Sequence, residues 1–133
     1  MIVVDASVLA YAVGDETTAG AAARALLLEE GQGSVPDLAD PETVSVLRGW
    51  WRSRVIDEQR LSDAVEDLAA LPLVRYPTSQ FMRRAVELWQ NVTPYDVCYV
   101  ALAEALGCQL VTTDARLSRA PGIRCEVRVL TRA

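Results

Sequence analysis

Histidine and lysine are both absent from this 133-residue chain. Without histidine there is no Ser-His-Asp triad, no imidazole general base and no imidazole metal ligand. Without lysine there is no Walker lysine and no Schiff-base nucleophile. The three cysteines, Cys98, Cys108 and Cys125, form no C-x-x-C pair, so a disulfide framework or thiolate zinc site is not expected and buried free thiols are. No apolar run reaches the length of a bilayer span, so no membrane association is expected. Chemistry is left to carboxylates, hydroxyls, arginines, tyrosines and thiols. Carboxylates working with hard metal ions are the main route among these.

What is present is a core-forming sequence. Apolar residues make up 51% of the chain, enough for a globular fold, and residues 1–133 fit one domain. Met1-Ile2-Val3-Val4-Asp5 has no basic segment ahead of its short apolar run, and an acid follows at once. It reads as a buried strand rather than a signal peptide, which makes the cytoplasm the expected location. The net charge of −5 argues at first against a nucleic-acid partner. Setting aside Asp5, Glu42, Asp96 and Asp114, however, 14 acids face 13 arginines. The excess negative charge is then concentrated in those four acids, where bound cations would offset it.

The pattern alternates short β-type runs with amphipathic helices, which predicts an α/β domain around a mainly parallel sheet. Strands are expected at 2–4, near 34–35, at 73–76, at 110–111 and at 127–130. Helices are expected over 17–30, 38–54, 58–71, 79–91 and 94–106, with a short one over 114–119. Predicted inner faces are Ala19, Ala22, Ala23, Leu26 and Leu27 in the first helix and Val44, Leu47, Trp51 and Val55 in the second. Leu61, Val65 and Leu68 follow in the third, and Phe81, Ala85 and Leu88 in the fourth. The 94–106 helix is apolar on most sides through Val97, Val100, Ala101 and Ala105.

Asp5 directly follows the first strand, and Asp114 follows the 110–111 strand. In a parallel sheet both stand at the carboxyl edge, where open α/β sheets place their ligands. Asp96 and Glu42 fall near the starts of helices that point at the same edge. Each acid alone also fits a helix cap. Thr93-Pro94-Tyr95-Asp96 has the form of a capping box, and Asp40-Pro41-Glu42 that of a cap followed by a first-turn acid. Four acids gathered at one edge would repel by roughly 4 kcal/mol per pair at about 4 Å and an effective dielectric near ~20. A fold gains little from such a gathering unless a cation joins it. Divalent ions take oxygen ligands and retain water, and they activate water against a phosphodiester without histidine or lysine.

At these residues the sequence resembles the PIN-domain ribonucleases, most closely the VapC group, the toxins of type II toxin–antitoxin pairs. The resemblance spans essentially the whole chain. Its motifs are Met1-Ile2-Val3-Val4-Asp5-Ala6-Ser7, the stretch from Val35 to Val44, the stretch from Thr93 to Gly107, and Leu110-Val111-Thr112-Thr113-Asp114. Asp5, Glu42, Asp96 and Asp114 match the family's four acids in order, with Asp5, Asp96 and Asp114 as metal ligands. Thr112 matches a hydroxyl residue supporting the fourth acid, and Ser7 a polar position near the first. Asp40 is the alternative in a shifted register, but Glu42 agrees with the family's glutamate. The resemblance implies a three-layer α/β/α fold, a Mg²⁺- or Mn²⁺-dependent endoribonuclease that inhibits translation and growth, and frequently a homodimer. It also implies a VapB-like antitoxin as cognate partner. Some relatives carry a further acid after the fourth; here Leu117 and Ser118 follow.

Arg116 and Arg119 lie just beyond Asp114, in reach of RNA phosphates, although a solvated helix would place them there too. The same holds for Arg48, Arg52 and Arg54 beside Glu42. Trp51 fits the inner stripe, while Trp50 flanks it and faces an antitoxin or second subunit. Tyr95 and Tyr99 flank Asp96 and are expected mainly to pack. A catalytically silent PIN-like module that binds RNA or protein is the alternative function. Phosphate-receiver and haloacid-dehalogenase-like domains also use an acid after the first strand, but they pair it with a lysine this chain lacks.

Overall fold

The computed structural model describes residues 1–131. Its elements are β1 (Ile2–Val4), α1 (Ala6–Gly14), α2 (Thr18–Glu30), β2 (Gly33–Pro36), α3 (Ala39–Arg52), α4 (Glu58–Ala70), β3 (Leu73–Tyr76), α5 (Met82–Leu88), α6 (Pro94–Leu106), β4 (Gln109–Thr112) and β5 (Val127–Val129). All strand pairs are parallel, in the order β3-β2-β1-β4-β5. Ile2, Val3 and Val4 are buried, as a continuous β-branched run in a central parallel strand requires. Helix α6 lies against β1, β2 and β4 with α5 beside it, while α1 packs on β4 and on α2, α3 and α4. The expected three-layer α/β/α architecture is therefore the observed one. Among the described residues, no helix is long and apolar enough to cross a membrane.

Chain direction makes the site. From β1 the sheet grows one way through β2 and β3, then the other way through β4 and β5. The order reverses between β1 and β4, and a crevice opens at such a point beyond the carboxyl ends of the strands. Local signals set the helix starts facing it. Thr93 caps α6 by accepting from the Asp96 N–H at 3.2 Å, with Pro94 at the first helical position. Gly107 ends the helix at φ 64°, in the left-handed region that suits glycine.

Several sequence expectations are corrected. Residues 6–14 form a helix the pattern analysis had not delimited, because its apolar residues are buried on nearly every side and show little periodicity. The 79–91 segment is a 3₁₀ turn at 79–81 followed by the short α5, and 114–119 holds only a 3₁₀ turn at Leu117–Arg119. Ala22 and Ala105 are exposed, and Ala64 takes the inward place predicted for Val65. The tryptophans exchange roles. Trp50 packs edge-on against Tyr11 at 5.2 Å between ring centroids, whereas Trp51 is exposed. Helix α3 ends at Arg52 and the chain reverses through Arg54 at φ 62°, so the stripe cannot continue to Val55, which is exposed too.

Helix α2 approaches the end of α1 so closely that a Cβ on Gly20 would run into the Asp15 carbonyl. Neither party is a flexible side chain, so the backbone must move. Gly20→Ala is expected to lower stability by about 2 kcal/mol in a denaturant titration; a variant as stable as the parent would show that this approach is soft.

Candidate active site

Register explains the first contact. Val4 pairs with Val111, so the next residues, Asp5 and Thr112, stand side by side, and the Asp5 N–H donates to the Val111 carbonyl at 2.9 Å. The Thr112 hydroxyl then donates to Asp5 Oδ2 at 2.7 Å, and Ser7 donates to the same oxygen at 3.0 Å. Thr112 Oγ1 also accepts from the Asp114 N–H at 3.1 Å, and Ser7 Oγ from the Thr113 N–H at 3.3 Å. These two hydroxyls thus tie the loop after β4 to the acid after β1. Asp5 occupies the N-cap position of α1 without a side-chain capping bond to its first turn.

The other acids reach this crevice from α6 and α3. Burial raises the Asp5 pKa, the hydroxyls of Thr112 and Ser7 oppose that rise, and the charge of Asp114 adds to it. Burial raises Asp96 as well, as do Asp5 and Asp114, while Thr93 and Arg116 pull it down. Glu42 is raised by burial and by Asp5 and Asp96, against the hydrogen bond from Tyr99. Asp5, Glu42 and Asp96 thus each feel the charge of an acid from another stretch of chain. Asp40, two residues from Glu42, instead faces away and pairs with Arg75 through bonds of 2.6 and 3.1 Å.

Tyr99 is the residue the sequence analysis undervalued. It is buried, and its hydroxyl donates to Glu42 Oε1 at 2.6 Å. Burial first, and then the neighbouring Glu42, raises its pKa, so it stays a neutral donor. Its spacing held the clue, since three residues past Asp96 is one turn along the same helix face. Tyr95, by contrast, is exposed. Arg116 lies on Asp114, donating from its main-chain N–H at 2.9 Å and its Nε at 3.2 Å to Oδ1, and from Nη2 at 3.3 Å to Oδ2. Arg119, Arg48, Arg52 and Arg54 are exposed.

The donor set suits a hard divalent ion. It is entirely oxygen, it is partly withdrawn from water, and the pKa values of Asp5, Asp96 and Glu42 are raised by burial and by neighbouring acids, a conflict that a nearby dication reverses. Among the described residues, no group of three or more acids is placed closely enough to hold a metal ion as it stands, so binding one would require these side chains to draw together.

Comparison with known proteins agrees with this geometry. The PIN domain family model matches residues 2–123. Ribonuclease VapC1 of Mycobacterium tuberculosis is 37% identical over 129 residues, covering 96% of each chain. The crystal structure of VapC20 from the same organism, described as a sarcin-ricin loop cleaving toxin, superposes with a TM-score of 0.68 at 16% identity over 91% of this chain and 95% of that one. DNA-bound VapBC of Salmonella typhimurium gives a TM-score of 0.60 at 18% identity over 95% and 96%. At such identities the two structures speak for the fold alone, whereas the family match and the VapC1 alignment extend over nearly the whole sequence. The chain belongs to the PIN-domain family, in its VapC group.

Proposed function

We propose that this protein is a Mg²⁺- or Mn²⁺-dependent endoribonuclease, the toxin of a toxin–antitoxin pair that restrains translation and growth, with residues 1–133 acting as one unit in the cytoplasm. The proposal rests on placement: Asp5 directly follows β1, Asp114 lies two residues past β4, and Asp96 and Glu42 sit in the first turns of α6 and α3, with the charges of Asp5 and Asp96 felt at Glu42. The 37% identity to a protein named as a ribonuclease supports it further.

Asp5, Asp96 and Asp114 would hold the ion, which when bound supplies Lewis acidity and makes a water nucleophilic at neutral pH. Thr112 and Ser7 keep the Asp5 carboxylate oriented, and Tyr99 does the same for Glu42. Glu42 would accept the proton of the attacking water. The new phosphorus–oxygen bond would form as the bond to the leaving ribose oxygen breaks, and that oxygen would take up a proton from solvent water. Cleavage of a labelled RNA is expected with Mg²⁺ or Mn²⁺ and is expected to stop in EDTA. Undiminished cutting in EDTA would overturn the mechanism, and RNA binding without cutting under every metal would favour the silent module.

The partners follow the same family. A VapB-like antitoxin is the proposed cognate. A hollow of about 710 Å³ between the ends of α1 and α3 and the start of α4 suits an amphipathic basic segment, with Tyr11, Trp50 and Ile56 on its floor and Asp15, Asp57 and Asp63 on its rim. A homodimer is proposed through α5, where Met82, Val86 and Trp89 form an exposed stripe at helical spacing. Light scattering behind a sizing column is expected to give twice the chain mass, and Trp89→Glu to give the monomer. A monomeric parent would rule out this interface.

A further inference from the structure

Arg116 sits on the acids in a way that a solvated arginine would not require. Its main-chain N–H and its guanidinium together engage both carboxylate oxygens of Asp114. The guanidinium also lies near enough to Asp96 for each to shift the other's pKa. A positive group thus rests on one of the acids assigned to the divalent ion. The Arg116 side chain is 86% exposed, so water can replace its bonds at little cost.

Resting on the divalent-ion reading above, we propose that Arg116 is a built-in counter-ion, displaced from Asp114 when the ion binds and then presented to a phosphate of the RNA strand. An arginine and a dication compete for the same oxygens, so the arginine offsets the Asp114 charge when no ion is bound and lowers ion affinity slightly. Once released, its planar fork stands at the rim of the crevice, where a polyanionic strand passes. That fork matches phosphate oxygens. One residue thereby couples occupation of the ion site to capture of substrate.

Two binding measurements test this without using catalysis. Calorimetric titration with Mn²⁺ alone is expected to give roughly two- to fivefold tighter binding for Arg116→Gln than for the parent, the range set by the worth of an exposed ion pair. Arg119→Gln removes the same charge nearby and is expected to leave Mn²⁺ affinity unchanged. Anisotropy with a nuclease-resistant phosphorothioate oligoribonucleotide then reads the second half. In Mn²⁺, Arg116→Gln is expected to weaken binding and to reduce the salt slope of log K by about 0.7, one phosphate contact on a single strand. In EDTA the parent and the variant should coincide. Equal Mn²⁺ shifts in both variants, no shift in either, or an RNA defect that persists in EDTA would each overturn the counter-ion role. A parent that binds no Mn²⁺ removes the divalent-ion reading and this inference with it, whereas a parent that binds Mn²⁺ normally beside an unaltered Arg116→Gln removes only the inference.

Discussion

RNA cleavage by Asp5→Asn is expected to fall to roughly a thousandth of the parent rate or below, while the metal-free variant is at least as heat-stable as the parent at neutral pH. The first half follows from the loss of a charged ligand. A bound ion contributes several kcal/mol of transition-state stabilisation, and about 4 kcal/mol corresponds to three orders of magnitude in rate. The second half follows from the sign of the pKa shift. Burial raises the Asp5 pKa, and Asp114 raises it further, so the folded protein holds this group's proton more tightly than the unfolded chain does. A raised carboxylate contributes stability that is fully present in acid and is lost as pH rises through its folded value. As pH rises toward neutral, Asp5 therefore becomes a growing cost in the metal-free state, and asparagine removes that cost. The amide oxygen of asparagine can still accept from Thr112 and Ser7, so the local geometry survives. Adding Mg²⁺ should raise the melting temperature of the parent, by about 2.7 kcal/mol of linkage at a hundred times Kd, and should do much less for the variant. A folded variant that still cuts RNA would remove Asp5 from the mechanism, and a variant that unfolds would make its role structural.

The opposite result is expected at the other end of α6. Glu104 accepts from Arg84 at 2.9 and 3.0 Å and from the Arg124 N–H at 2.8 Å, and Arg84 also donates to the Gly122 carbonyl at 2.7 Å. These bonds clamp α5, α6 and the approach to β5 together. The two side chains are only 13% and 15% exposed, so deleting one charge strands the other in a poorly hydrated place. Glu104→Gln is expected to lower stability by about 3 kcal/mol and the melting temperature by roughly 10 °C. RNA cleavage should be unchanged below the melting range, because eight residues of helix, about 12 Å, separate Glu104 from Asp96. Burial by itself would raise the Glu104 pKa, but the bonds from Arg84 and Arg124 outweigh it and hold the carboxyl below its ordinary 4.5. A lowered carboxylate stabilises above its unfolded pKa and loses that contribution as pH falls through its folded one. The gap between parent and variant should therefore close in acid. Replacing both partners, Arg84→Met with Glu104→Leu, should cost less than Glu104→Gln alone. A double variant less stable than that single one would contradict this account of the clamp.

Much of the site was legible before any coordinates because its parts sit at places that local pattern marks. Asp5 and Asp114 end β-branched runs, and Asp96 lies in the first turn of a helix announced by Thr93 and Pro94. The choice of Glu42 over Asp40 was less secure. The two are i and i+2 on one helix and so point in different directions, and only the pairing of Asp40 with Arg75 shows which way each faces. Tyr99 was read as packing because apolar burial and a buried hydrogen bond look alike in sequence. The exchange of Trp50 and Trp51 has a similar origin. Positions three and four residues past Leu47 both lie on its face, and the gap beside Tyr11 and Gly14 decides which ring fills it.

By itself, the sequence determined the parallel α/β architecture and the exclusion of histidine and lysine chemistry, and it singled out the candidate acids, since each of these depends on residue type, motif and short-range periodicity. Tertiary structure alone decided that Thr112 and Ser7 share one oxygen of Asp5 and that Tyr99 holds Glu42. Those contacts join residues by strand register and by the phase of one helix against another. Both are set by how whole elements pack, and no local stretch of chain carries that information.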